Sequence, residues 1–178
     1  MRAADAVVMP WRNGGGITRE YLTSTADDGL DWRLSVAQVA SDGPFSEFPG
    51  LDRMLVLLEG NGMTLSFDDA TVRLIDPLDH HRFAGEAAVN ATLIDGPTRD
   101  LNLFWLRHRW TAELQVLRAP CTSPAGATVL VYVTDGYARS EGQLLASGDL
   151  CVPEEPMSFE GDATLVVFVL SPITGACR

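Results

Sequence analysis

Leu55-Val56-Leu57-Leu58-Glu59-Gly60 and, later, Val131-Tyr132-Val133-Thr134-Asp135-Gly136 share one design: an apolar run closed by an acid and a glycine. Further matches fall at the same spacing. Gly60 and Gly136, Pro77 and Pro153, Phe83 and Phe159, and Gly85 and Gly161 are each 76 positions apart. Glycine and proline recur in turns by default, so each coincidence alone is weak. Four in one register, flanked by apolar runs, point to a duplicated β unit. Outward from this pair the chain reads almost entirely as strand. In 30–37, Trp32, Leu34 and Val36 fall on one face and Arg33 and Ser35 on the other. Strands are also expected over 53–59, 63–67, 71–75, 88–95, 100–107, 112–118, 128–134, 143–146, 151–153 and 164–170. Pro, Gly, Asn and Asp clusters separate them at the short intervals of a sandwich or barrel. No long helix is expected, only a turn or two near 44–52 or 78–82. The expectation is one all-β domain over 1–178, with lobes over about 1–109 and 110–178 and an ordinary loop at 117–128.

Composition narrows the partners. The 178 residues are 46% hydrophobic, enough for a substantial core. No apolar stretch approaches the roughly 20 residues that span a bilayer, and the first residues lack the apolar core of a signal peptide. Cys121, Cys151 and Cys177 are widely spaced and odd in number, which reads as reduced thiols of a cytoplasmic protein. A net charge of −11 argues against nucleic acid and anionic membrane as partners. The chain has no lysine, and all 13 cationic residues are arginines. Ten of them lie at or before Arg109. Arginine holds a carboxylate through two parallel hydrogen bonds, so a small anionic metabolite remains a candidate ligand for an acidic protein.

The order within each unit, apolar strand to acid-Gly, hairpin, strand into Pro, then Phe-x-Gly-acid-Ala, resembles the cupin jelly roll. Two such units would make a bicupin-like double jelly roll. Many cupins hold a divalent metal through several histidines and a glutamate. Here 58–66 contains no histidine, and adjacent His80 and His81 would face opposite sides of a strand. The second copy has none at 153–159. No metal and no cofactor are expected, and His80, His81 and His108 read as solvated loop histidines.

Polar groups gather in four islands. The first is Trp11-Arg12-Asn13-Gly14-Gly15-Gly16-Ile17-Thr18-Arg19-Glu20. Its glycines admit close backbone approach, either as a cradle or as a plain turn between strands. They lack the following Lys-Ser or Lys-Thr of a phosphate loop. The second island runs from Trp32-Arg33-Leu34-Ser35 to Gly43-Pro44-Phe45-Ser46-Glu47-Phe48. The third is Leu51-Asp52-Arg53, and the fourth is Asp95-Gly96-Pro97-Thr98-Arg99-Asp100-Leu101-Asn102. In order and content these resemble the HutD/Ves family of bacterial proteins over about the first 107 residues. Departures are Leu101 for an expected Phe, Phe104-Trp105 for smaller or methionine-type residues, and His108 for an expected Arg. The resemblance implies a bicupin-like protein without the usual metal centre. It also implies a role in histidine utilisation, binding formylglutamate or urocanate to restrain or buffer flux.

The residues supply a chemistry for that expectation. Arg12, Arg33 or Arg53 would hold a carboxylate, while Asn13, Ser35 or Asn102 reads an amide or formyl oxygen. Glu20, Asp52 or Asp100 would brace an arginine or accept a ligand N–H. Trp11, Gly14, Gly15, Gly16 and Thr18 complete the candidate set. Each has a plainer alternative: Asp52-Arg53 as a strand-edge ion pair, Trp11 and Trp32 as core or rim aromatics, Asp100 and Asn102 as loop ties. A cupin-type enzyme with Glu20, Asp52 or His108 as acid or base is the second hypothesis. An interaction module, with an edge strand used in a homodimer, is the third.

Overall fold

Alternating apolar and polar residues give strands throughout the computed structural model, which describes residues 1–11, 14–26 and 29–173. Every strand pair is antiparallel. The backbone forms two compact units. One is Val7–Arg107; the other joins Met1–Ala6 to His108–Arg178.

The Val7–Arg107 unit contains β1 (Val7–Pro10), β2 (Gly16–Ala26), β3 (Gly29–Val39), β4 (Gly43–Pro44) and β5 (Leu51–Glu59). It continues with β6 (Met63–Ser66), β7 (Thr71–Leu74), β8 (His80–Ala84), β9 (Asn90–Leu93) and β10 (Thr98–Leu106). A large sheet runs β1-β2-β3-β10-β5-β8 and a small one β4-β9-β6-β7. Val39, Leu55 and Leu57 of the large sheet pack with Met63, Leu65, Leu74 and Ala91 of the small one. The four leucines, Met63 and Ala91 are almost wholly excluded from solvent. Burying each leucine or methionine side chain contributes about 1.5–3 kcal/mol. Period-two alternation carries the face that holds Leu55 back to Arg53, and the face that holds Val39 back through Ala37 and Ser35 to Arg33. One sheet surface thus passes from an apolar end to a cationic end, and that gradient positions the site.

The other unit holds a 3-10 turn at Ala3–Asp5, then β11 (Trp110–Arg118), β12 (Cys121–Thr122) and β13 (Thr128–Ser140). It ends with β14 (Gln143–Ala146), β15 (Leu150–Cys151) and β16 (Ser158–Pro172). Its sheet runs β11-β16-β13-β14, with β12 added to β16 and β15 to β13. Valines 129, 131, 133 and 167, Leu145, Phe159 and Leu165 fill its interior. Asp149 fastens the amino terminus to it, accepting from the Arg2 guanidinium at 2.7 Å and the Ala3 amide at 3.1 Å.

Several expectations change here. The stretch 117–128 contains β12, and 128–134 and 164–170 are parts of much longer strands. Gly136 (φ +75°) does not end its strand but lies within β13, just after a bulge between Val133 and Asp135. A Cβ at Gly136 would stand 2.0 Å from the Asp162 carbonyl oxygen, so only glycine lets the two long strands stay paired there. The matching Gly60 (φ +101°) instead follows β5 in a turn. Phe83 lies opposite Arg53 of β5, whereas Phe159 lies opposite Cys121 of β12. The constant 76-residue spacing therefore does not give structural equivalence through the later matches. No helix forms near 44–52 or 78–82. Leu78 takes φ +77°, and the Asp79 carboxylate accepts from the Ile75 and Asp76 amides at 2.8 and 3.0 Å, a turn that delivers the chain into β8.

Candidate functional site

Cross-strand register builds the site within the Val7–Arg107 unit. Arg33 of β3 lies opposite Phe104 of β10, Phe104 lies opposite Arg53 of β5, and Arg53 lies opposite Phe83 of β8. The row thus alternates guanidinium and phenyl across four strands. The Arg53 guanidinium carbon sits 5.1 Å from the Phe104 ring centre, 5.3 Å from Phe83 and 4.4 Å from Phe45. Arg33 sits 4.7 Å from Phe104 and 5.2 Å from Phe48. Such cation–π contacts contribute on the order of 0.5–2 kcal/mol each and hold both groups flat against rings. Above this row opens a cavity of about 750 Å³. Arg33, Ser35, Arg53, Asn102 and Phe104 form its sheet-side wall. Trp11 and Thr18 close one side, and Phe45, Ser46 and Phe48 of the loop after β4 close another.

Arg53 is only 6% exposed, yet makes no ion pair among the described residues. Its Nε donates to Asn102 Oδ1 at 2.8 Å, while its two terminal nitrogens have no hydrogen-bond partner among those residues. Asn102 Nδ2 in turn donates to Asp100 Oδ2 at 2.5 Å. These two bonds fix the amide orientation, with oxygen toward the arginine and nitrogen toward the carboxylate. Asp100 is wholly buried, and its Oδ1 lacks a partner among the described residues. Burial pushes its carboxyl up to about 6, against the pull of the Arg53 charge and the Asn102 hydrogen bond. Burial lowers Arg53 to about 10, with Asp100 opposing and Arg33 reinforcing the shift, so Arg53 stays charged at neutral pH. Burial also lowers Arg33, opposed by the Glu20 charge. Arg33 donates no hydrogen bond among the described residues, and its Nε is buried without a partner. Desolvating an unpaired cation costs several kcal/mol, and these two guanidinium groups face one cavity with no carboxylate bonded to them among the described residues to offset that cost.

The HutD family model matches residues 3–168. The chain belongs to the HutD family. A Pseudomonas putida protein described as an uncharacterized 21.2 kDa protein in the hutC 3′ region is 41% identical over 142 residues, covering 78% of this chain and 75% of that one. Protein Ves of Citrobacter koseri is 35% identical over 141 residues, covering 77% and 73%. The structure of HutD from Pseudomonas fluorescens SBW25 superposes with a TM-score of 0.83 at 34% identity, covering 96% of each chain. The fold extends further, to a cupin conserved-barrel protein of Leptotrichia buccalis (TM-score 0.59, 12% identity, covering 86% and 88%).

Within this HutD-family chain the structure gathers Trp11, Thr18, Arg33, Ser35, Arg53 and Asn102 at one cavity, with Asp100 behind Asn102. It does not gather the others. Asp52 accepts from Arg82 at 2.6 Å and pairs with Arg107 at 3.0 Å, and is not part of the wall. The strand-edge ion pair foreseen for Asp52-Arg53 thus belongs to Asp52 alone, because neighbours in a strand face opposite ways. Glu20, half-buried opposite Ser35, acts on Arg33 through its charge without lining the cavity. Arg12 and Asn13 lie outside the described residues. Gly14 and Gly15 precede β2, Gly16 is its first residue, and none of the three lines the large cavity. The Trp11 amide donates to the Gly16 carbonyl at 2.9 Å, and the Gly14 amide to the Trp11 carbonyl at 3.0 Å. Trp11 Nε1 donates to Thr18 Oγ1 at 2.8 Å and stands the indole at the cavity wall. A Cβ on Gly16 would meet the Gln38 carbonyl oxygen at 2.3 Å and the indole at 3.1 Å. Gly16→Ala is expected to lower stability by about 1–3 kcal/mol and to shift Trp11 fluorescence, read by denaturant unfolding.

Phe45, Phe48 and Phe104, which line the cavity, and Phe83, which packs against Arg53, are absent from the candidate set. The first two were visible as aromatics in the Gly43-Pro44-Phe45-Ser46-Glu47-Phe48 island. The metal that the cupin fold implies does not fit. His80 lies at the surface with Nδ1 on the Leu78 carbonyl at 3.0 Å. His81 is stacked on Phe83 and edge-on to Phe67, where burial depresses its protonation. His108 belongs to the other unit. Both His80 and His81 lie on β8, not in a loop. The described residues contain no group of three or more His, Cys, Asp or Glu side chains arranged to hold a metal ion. The cavity wall offers guanidinium, amide and hydroxyl groups in their place.

Proposed function

We propose that this protein binds a small carboxylate metabolite in the Arg33–Arg53 cavity, and that it restrains or buffers flux through histidine utilisation. Formylglutamate and urocanate are its candidate ligands. The observation that carries the reading is Arg53: a buried cation whose terminal nitrogens open into a cavity and meet no protein acceptor among the described residues. A bound carboxylate would complete those hydrogen bonds in a bidentate pair. Ser35, on the strand beside Asn102 and directly opposite it, is placed to donate its hydroxyl to an amide or formyl oxygen, while Asn102 braces Arg53. Family membership supports the pathway, as does the hutC neighbourhood stated for the Pseudomonas putida relative. A cytoplasmic setting suits the free thiols of Cys121 and Cys151, and among the described residues no helix is long and apolar enough to cross a membrane.

Thermal unfolding with N-formyl-L-glutamate and urocanate, against formamide and imidazole as uncharged or cationic controls, tests the proposal. A carboxylate at 100 times its Kd is expected to stabilise the protein by about 2.7 kcal/mol, a rise of several degrees. Absence of any carboxylate-dependent rise at millimolar concentration would remove the proposal.

A further inference from the structure

Arg33 and Arg53 stand out from the other arginines of known partner. Arg2, Arg82, Arg99 and Arg107 each meet a carboxylate, at 2.5–2.7 Å for the first three. Arg33 and Arg53 meet rings instead, and both face the same cavity. The carboxylates nearest to them are otherwise placed: Asp100 is held from Arg53 by the intervening Asn102 amide, and Glu20 makes no hydrogen bond to Arg33. We infer that the cavity selects dianions, taking a compact dicarboxylate with one carboxylate on Arg53 and the other on Arg33, in preference to a monocarboxylate of the same length. This rests on the reading that the cavity holds a carboxylate at all.

The spacing supports two charges over one. Arg33 and Arg53 flank Phe104 on either side, so their backbone positions are two strand spacings apart, about 10 Å. Charge-assisted N–H···O bonds are about 2.8 Å long. One carboxylate accepts about four hydrogen bonds, fewer than the N–H donors that the Arg53 terminal nitrogens and the Arg33 guanidinium together offer, so it leaves most of them open. Two carboxylates separated by three methylenes lie roughly 5 Å apart and give each fork its own acceptor. Phe45 and Phe48, which cover the two guanidinium groups, offer apolar surface to the connecting carbons. The second charge also removes a cost. A monoanion on Arg53 would leave Arg33 desolvated and unpaired, whereas a dianion neutralises both groups.

The test is titration calorimetry of the full chain with glutarate and pentanoate, and with N-formyl-L-glutamate and N-formyl-L-glutamine, each a diacid beside a monoacid of like length. Wild type is expected to favour each diacid at least tenfold. Arg33→Met should cut diacid affinity at least tenfold more than monoacid affinity, and Arg33→Lys should restore part of the preference. A thermal melt confirms that each variant is folded. Equal binding of diacid and monoacid, or equal loss of both in Arg33→Met, overturns the inference while leaving the carboxylate site standing. Failure of all four compounds to bind overturns the site and the inference together.

Discussion

Arg53→Met is expected to weaken carboxylate binding at least thirtyfold while leaving the protein folded. Arg53 offers the most deeply buried donors in the cavity, and its two terminal nitrogens have no competing acceptor among the described residues. Removing one partner of a desolvated, hydrogen-bonded charge pair costs about 2–5 kcal/mol, which is the range of that loss. Methionine keeps much of the side-chain volume and packs well against Phe45, Phe83 and Phe104. The fold loses one hydrogen bond to Asn102 and sheds a buried cation that no carboxylate contacts directly, two effects of opposite sign. Net stability should move by no more than about 1–2 kcal/mol. Arg53→Lys keeps the charge without the planar fork and should recover only part of the affinity. Calorimetry beside a thermal melt separates the two outcomes. Unchanged affinity in a folded Arg53→Met protein would show that the anion is held elsewhere.

Asp100→Asn is expected to stabilise the protein at neutral pH and to flatten its pH dependence between about pH 4 and 6. The buried carboxyl titrates at about 6 in the folded chain, against 3.8 for an ordinary aspartate. Across that window the native state binds the proton more tightly than the unfolded state. Stability contributed by the neutral form is therefore greatest below the lower value, falls as pH rises, and levels off above the upper one. A shift of about two units corresponds to about 3 kcal/mol, an upper figure for the gain. The asparagine can still accept from Asn102 Nδ2, so the amide keeps its orientation toward Arg53. Removing the negative charge behind Arg53 should also tighten anion binding. Urea unfolding of both proteins at pH 4, 5, 6 and 7 reads the effect, with the two stabilities converging toward pH 4. A difference that grows as pH falls would contradict the account.

The fold was legible in the sequence because period-two alternation is strong in Trp32-Arg33-Leu34-Ser35 and in the acid-Gly endings of two apolar strands. The same rule placed Arg33 with Ser35, and Asp100 with Asn102, on shared faces, and the structure joins those two faces at one cavity. What alternation leaves open is parity. It says that Asp52 and Arg53 face opposite ways but not which of them faces inward, and the ion pairs of Asp52 with Arg82 and Arg107 reveal that only in three dimensions. Register was equally hidden. Nothing in the local sequence announces that Phe104 falls between two arginines, since cross-strand partners come from segments some 50 to 70 residues apart. Phe45 and Phe48 were harder still, because a loop has no period from which to read direction. Gly136 misleads in a definite way: it looks like a strand end, yet its positive φ serves a bulge inside a strand. The Gly14-Gly15-Gly16 run leaves a cradle and a plain turn equally open, and the structure ties Gly14 and Gly16 back to the Trp11 backbone.

In the proposed reading a buried guanidinium grips a small carboxylate at the cationic end of one sheet. A crystal structure of the protein soaked with N-formyl-L-glutamate tests it most directly. Density is expected in the cavity with a carboxylate on the terminal nitrogens of Arg53, at charge-assisted hydrogen-bond distance. A diacid bound away from Arg53, or a histidine-ligated metal ion in its place, would contradict that reading.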